Sequence, residues 1–222
     1  MSFPNILFNS NRIALTPSQV RNEIIAFKYT DAVHQTICDS RKLQKDGKVF
    51  IECSAHILSN FGMTRSGPFK DINQKDILRN CWEAVGDGVL EIHNSVIESR
   101  LSRDRYLLEI DDSEREELIG KIWSLTKQLL PLTMVKTSYG LVGASKILFA
   151  VLPEIVLPVD NNMWLKVFQT VDLGDVIKNM VFDIQHWEEV TGQKLNEMDP
   201  QKRLTTLPSD YNVMAMNARP KK

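Results

Sequence analysis

Cysteine is scarce in this chain, with three among 222 residues, at Cys38, Cys53 and Cys81. An odd, widely spaced set supports neither a disulfide framework nor a zinc-ligand pattern. It fits a reducing compartment, so a cytoplasmic location is expected. No stretch approaches the roughly 18 consecutive apolar residues of a membrane helix, and no membrane partner is expected. The opening MSFPNILFNSNR lacks the basic region and apolar run of a secretory signal. An excess of one charge is missing too: 27 Lys and Arg stand against 28 Asp and Glu. No global field draws the chain to nucleic acid, so DNA binding would have to rest on a local basic surface. The four histidines (His34, His56, His93 and His186) show no His-x-x-x-His or Glu-x-x-His spacing, and no metal site is expected from them. Gly-x-Ser-x-Gly and a Walker-type lysine are likewise absent.

Helix signals are abundant. With 43% hydrophobic and 25% charged residues the chain can bury a core without staples. In LTPSQVRNEIIAF, Thr16 reads as an N-cap, Pro17 as the first helical residue and Gln19 as the return partner of a capping box. A helix from about Pro17 to the low forties is expected, with a break near Tyr29-Thr30 as the open alternative. VFIECSAHILSNFG reads as a helix ended by Gly62, although KVFIEC alone also suits a strand. Residues 63–73 read as a long loop, with Asp71 or Asn73 capping the next helix. VGDGV (85–89) is expected to interrupt that helix as a bend. The acidic run 111–117 could supply metal-dependent nuclease carboxylates, but acids are favoured in any first helical turn. Behind it Leu118, Ile122, Leu125 and Leu129 form an apolar stripe that Pro131 is expected to end. Further helices are expected through Met163, Val167 and Val171 and over 175–190, stopping near Gly192. The expectation is an all-α, multi-helix fold. It is one helical domain over 1–200, or two lobes with one around 112–170, followed by a mobile polar tail over 201–222.

Residues 139–168, YGLVGASKILFAVLPEIVLPVDNNMWLKVF, hold the candidate site residues. Gly140 and Gly143 are expected to bracket a tight turn, followed by an apolar stripe of Ala144, Ile147, Leu148 and Val151. Pro153 and Pro158 hold the next link extended. Asp160 then stands where a helix cap belongs, and Asp is among the preferred capping residues. Trp164 suits either core packing or a stacking surface. Lys146 suits either a snorkelling surface lysine or, with its amine desolvated, a nucleophile.

The order of glycine hairpin, helix, linker and Asp-capped helix resembles the helix-hairpin-helix DNA glycosylase superfamily. Pro158-Val159-Asp160-Asn161-Asn162-Met163-Trp164 is similar to the Pro-Val-Asp-x-x-Met-Trp of its 8-oxoguanine glycosylase branch. The resemblance implies duplex DNA as partner. It implies backbone amides around Gly140, Gly143, Ala144 and Ser145 that hold a phosphate, with Trp164 beside the DNA. It also implies catalysis of base excision by Asp160, with Lys146 as the matching lysine, and no metal or organic cofactor. Two residues separate Gly140 from Gly143 where the family hairpin has one, and the distance from hairpin to aspartate is shorter than usual. The Ser-Lys-x-Leu then Pro-Glu and Pro-x-Asp pattern is also similar to uncharacterised bacterial helical proteins. The two expectations are therefore a DNA-binding protein with N-glycosylase activity, and a non-enzymatic helical interaction protein on the same scaffold.

Overall fold

Capping chemistry sets where the first helix begins. Thr16 is extended, its Oγ1 accepts from the Gln19 backbone N–H at 3.3 Å, and Gln19 Oε1 accepts from the Thr16 N–H at 2.8 Å. This closes the capping box at the start of α1 (Pro17–Ala26). The computed structural model describes residues 5–28, 30–64, 69, 74–133, 140–201 and 206–219. α2 (Thr30–Ser40) is a separate helix, and α3 (Lys48–Asn60) is helical throughout, so KVFIEC is not a strand. The caps expected at Asp71 or Asn73 lie outside the described residues.

α4 (Gln74–Glu98) runs unbroken through 85–89, against the bend expected there. A Cβ on Gly88 would lie 2.8 Å from Leu125 Cδ2, and one on Gly86 would lie 2.9 Å from the Trp82 ring. These glycines permit close approach rather than interrupt the helix. A short helix, α5 (Tyr106–Glu109), leads into α6 (Asp112–Thr133), where Asp111 Oδ1 accepts from the Glu114 N–H at 2.8 Å. Asp111 is thus a cap. Pro131 does not end α6, which continues to Thr133.

α7 (Gly140–Phe149) contains Gly143, so Gly140 and Gly143 do not bracket a turn. A Cβ on Gly143 would meet Phe69 at 3.1 Å and Thr133 at 3.2 Å, so the glycine lets α7 pack tightly. α8 (Asn161–Met163) passes into a π-helical turn, Trp164–Phe168, which ends at Gln169 with φ 56°, before Val171. α9 (Leu173–Thr191) is capped by Asp172 and stops at left-handed Gly192, close to the expected end. Where a mobile tail was expected, α10 (Leu207–Asn217) forms a buried helix.

The fold is all-α. α6 packs against α4, α7 and α9, while α3 packs on α2, α4 and α7. The chain ends meet where α1 packs on α10. Asp183 of α9 ties them, its Oδ2 accepting from Ile6 N–H (2.7 Å), Leu7 N–H (3.1 Å) and Tyr211 O–H (3.1 Å). Trp187 Nε1 adds a bond to the Leu15 carbonyl at 2.8 Å. Among the described residues no helix is long and apolar enough to cross a membrane.

Candidate functional site

Every α7 residue but Leu141 is buried, Lys146 included. A lysine there must bring its ammonium a partner, since desolvating an unpaired charge costs several kcal/mol. The partner is Asp160. Lys146 Nζ lies 2.8 Å from Asp160 Oδ1, and the two side chains are 2% and 28% exposed. The ammonium also stands 4.9 Å from the Phe61 ring centroid, where the ring's negative face favours a cation. Lys146 is therefore not a snorkelling surface lysine.

The neighbouring residues fix the backbone in the same register. Ser145 Oγ accepts from the Val159 N–H at 3.1 Å and sits 3.1 Å from the Val142 carbonyl, to which it donates. Consecutive residues of α7 thus hold consecutive residues of the link: Ser145 holds Val159, and Lys146 holds Asp160. The link between them, 150–159, is buried throughout. This is the structural content of the Ser-Lys and Pro-x-Asp pattern.

Asp160 stands at the N-cap of α8 in extended conformation (φ −79°, ψ 157°), but its side chain makes no capping hydrogen bond. Only its carbonyl is used, accepting from the Met163 N–H at 2.8 Å. The carboxylate turns to cations on both oxygens, with Arg219 Nη1 3.6 Å from Oδ2. Arg219 lies beyond α10, and its Nε donates to the Met216 carbonyl at 2.8 Å. Three separated segments therefore converge on one partly open carboxylate.

The residues expected to hold DNA lie elsewhere in character. Gly140, Gly143, Ala144 and Ser145 are buried within α7. Trp164 is 3% exposed and packed in the core, so its ring is not placed to stack on a base. Its Nε1 has no hydrogen-bond partner. The sequence reading missed Phe61 and Arg219, each far from the motif in sequence and without any local pattern to mark it. No family model, no curated protein and no solved structure matches this chain.

Proposed function

We propose that the protein binds DNA and releases a base by hydrolysis of its N-glycosidic bond, with Asp160 as the catalytic carboxylate. The observation that carries this reading is the use made of Asp160: a carboxylate at an N-cap that is withheld from capping, oriented by a buried lysine, and left partly open. In such a reaction the target nucleotide leaves the stack and enters a pocket. The C1′–N bond breaks with its electron pair going to the base, which takes a proton, while positive charge develops on the sugar. Asp160 stabilises that charge and accepts the proton of the water that attacks C1′. Lys146 is a positioning residue here. Its ammonium is occupied by Asp160, whereas attack on the sugar would require a free neutral amine.

The test is single-turnover excision on a panel of damaged duplexes. Wild-type protein should release a base from at least one of them. Borohydride should trap no covalent adduct, because water rather than Lys146 attacks. A trapped adduct lost in Lys146→Met would reverse the assignment of the two residues.

One observation favours the second reading, a non-enzymatic interaction protein. Gly140, Gly143, Ala144, Ser145 and Trp164 are all buried, leaving these residues no open face for a phosphate or a base. The Lys146–Asp160 pair would then be a clasp between α7 and the link. Absence of duplex binding in fluorescence anisotropy, even at low salt where phosphate contacts are strongest, would establish this reading over the first.

A further inference from the structure

Arg105 and Glu188 show how charges are ordinarily disposed of in this fold. The guanidinium meets both carboxylate oxygens, Nη1 to Oε1 at 2.8 Å and Nη2 to Oε2 at 2.7 Å, in the bidentate geometry that makes such pairs strong. Asn196 then bridges them to the neighbouring residue, its Oδ1 accepting from Arg105 and its Nδ2 donating to Asp104 Oδ2, both at 3.1 Å.

A cavity of about 290 Å³ opens beside this network, and its walls are charged differently. Arg41, Arg103, Asp104, Glu154, Asp199 and Asp210 line it. They arrive from five segments: the end of α2, the 3-10 turn Arg103–Arg105, the link after α7, the turn before residue 200, and the first turn of α10. Asp104 is satisfied by Asn196 and by the Ser102 hydroxyl. Among the described residues, Arg41, Arg103, Glu154 and Asp210 form no ion pair, although they share one cavity. Asp210 is 2% exposed, and its Oδ1 accepts no hydrogen bond.

A buried carboxylate oxygen without a partner is unfavourable. Burial pushes the Asp210 carboxyl well above its ordinary range, and the carboxylates of Asp199 and Asp104 add to the shift. Glu154 is raised by burial as well, with Arg41 and Arg103 pulling the other way. What would relieve this arrangement is a ligand that brings a cation to the acids. A single metal ion does not suit it, since no three His, Cys, Asp or Glu among the described residues are placed to hold one. Arg41 is exposed and Arg103 half-buried at the cavity wall, so both guanidinium groups can reach an anionic group on the same ligand. The volume lies just below the usual range of ligand pockets, roughly 300–1,000 Å³, which restricts the ligand to a small molecule.

We propose that this cavity binds a small zwitterion of the amino-acid type, its cationic nitrogen donating to Asp210 and Glu154 and its anionic group held by Arg41 and Arg103. None of these residues belongs to the Lys146–Asp160 pair, so the site stands whether or not the chain excises bases.

The experiment is calorimetric titration and thermal unfolding of the full chain with each of the twenty free amino acids. Putrescine serves as a cation-only control and succinate as an anion-only control. At least one amino acid should bind with one-to-one stoichiometry and raise the melting temperature. Its affinity should fall about tenfold or more in both Asp210→Asn and Arg103→Gln, as expected for loss of a charge-assisted hydrogen bond. Circular dichroism checks that each variant is folded, and Glu154→Gln replaces Asp210→Asn if the latter is not. The proposal is overturned if no amino acid binds at millimolar concentration, if binding is unchanged in either variant, or if putrescine binds as tightly as the best amino acid.

Discussion

Asp160 and Asp183 are both held within the fold, yet the two regions use a carboxylate in opposite ways. Asp183 receives only neutral donors, and all three of them reach one oxygen, Oδ2, while Oδ1 has no partner. Burial pushes its carboxyl up to about 6, and the donors only partly oppose this. Asp160 instead faces a cation at each oxygen and stays partly exposed. Neutral donors from Ile6, Leu7 and Tyr211 make Asp183 a tether between the chain ends. The other region is an ion pair whose ammonium is buried and whose carboxylate is open to water. The lesson concerns which partner is inside: in one region the carboxylate is the buried group, in the other it is the lysine.

That asymmetry yields the largest expected effect. Asp160→Ala strands the Lys146 ammonium in the core and should lower stability by about 3–5 kcal/mol. Lys146→Met keeps the side-chain volume and leaves a carboxylate that water can reach, so its loss should be about 1–2 kcal/mol. Chemical denaturation of both, and of the double variant, measures the difference, and the double variant should lose less than the sum. Equal losses from the two single variants would contradict the assignment of the lysine as the buried partner.

Asp183 should show itself through pH. Its folded-state carboxyl is raised from 3.8 to about 6, so between these values the folded protein holds the proton more tightly than the unfolded chain. Its contribution is fully present below the lower value and is lost as pH rises through the upper one, by about 3 kcal/mol at most. Urea unfolding across this window should therefore show wild type losing stability relative to Asp183→Asn as pH rises. Parallel curves would remove the effect. Tyr211→Phe deletes one of the three donors to the buried carboxylate and should cost about 1–2 kcal/mol in the same assay at neutral pH. Thr16→Ala, which opens the capping box far from both regions, should cost about 1 kcal/mol and leave any DNA binding unchanged.

The helices that were legible in the sequence announce themselves by chemistry that acts locally. Thr16 and Gln19 close a capping box within four residues, and the stripe of Leu118, Ile122, Leu125 and Leu129 follows the helical repeat. α10 carries no such stripe, because LPSDYNVMA is buried on all sides with Ser209, Asp210 and Asn212 inside, and periodicity cannot mark a helix without a wet face. Gly86 and Gly88 read as a bend because sequence does not show the Trp82 and Leu125 side chains they make room for. At the site, Lys146 and Asp160 were each legible as candidates, but their contact across fourteen residues of chain was not. Whether Asp160 caps α8 depends on where its side chain turns, and that is decided by Lys146 and Arg219 rather than by its own neighbours.

Asp160 is proposed to act through its negative charge rather than through its place at a helix start. Single-turnover base release by wild type and Asp160→Asn on the same panel of damaged duplexes tests it most directly. Circular dichroism and anisotropy on the same samples report fold and DNA affinity. The amide keeps an oxygen for Lys146 but supplies neither charge nor base. Asp160→Asn should therefore remain folded and keep its DNA affinity while base release is lost. Base release by Asp160→Asn at the wild-type rate, or none by wild type on any duplex, would contradict the account.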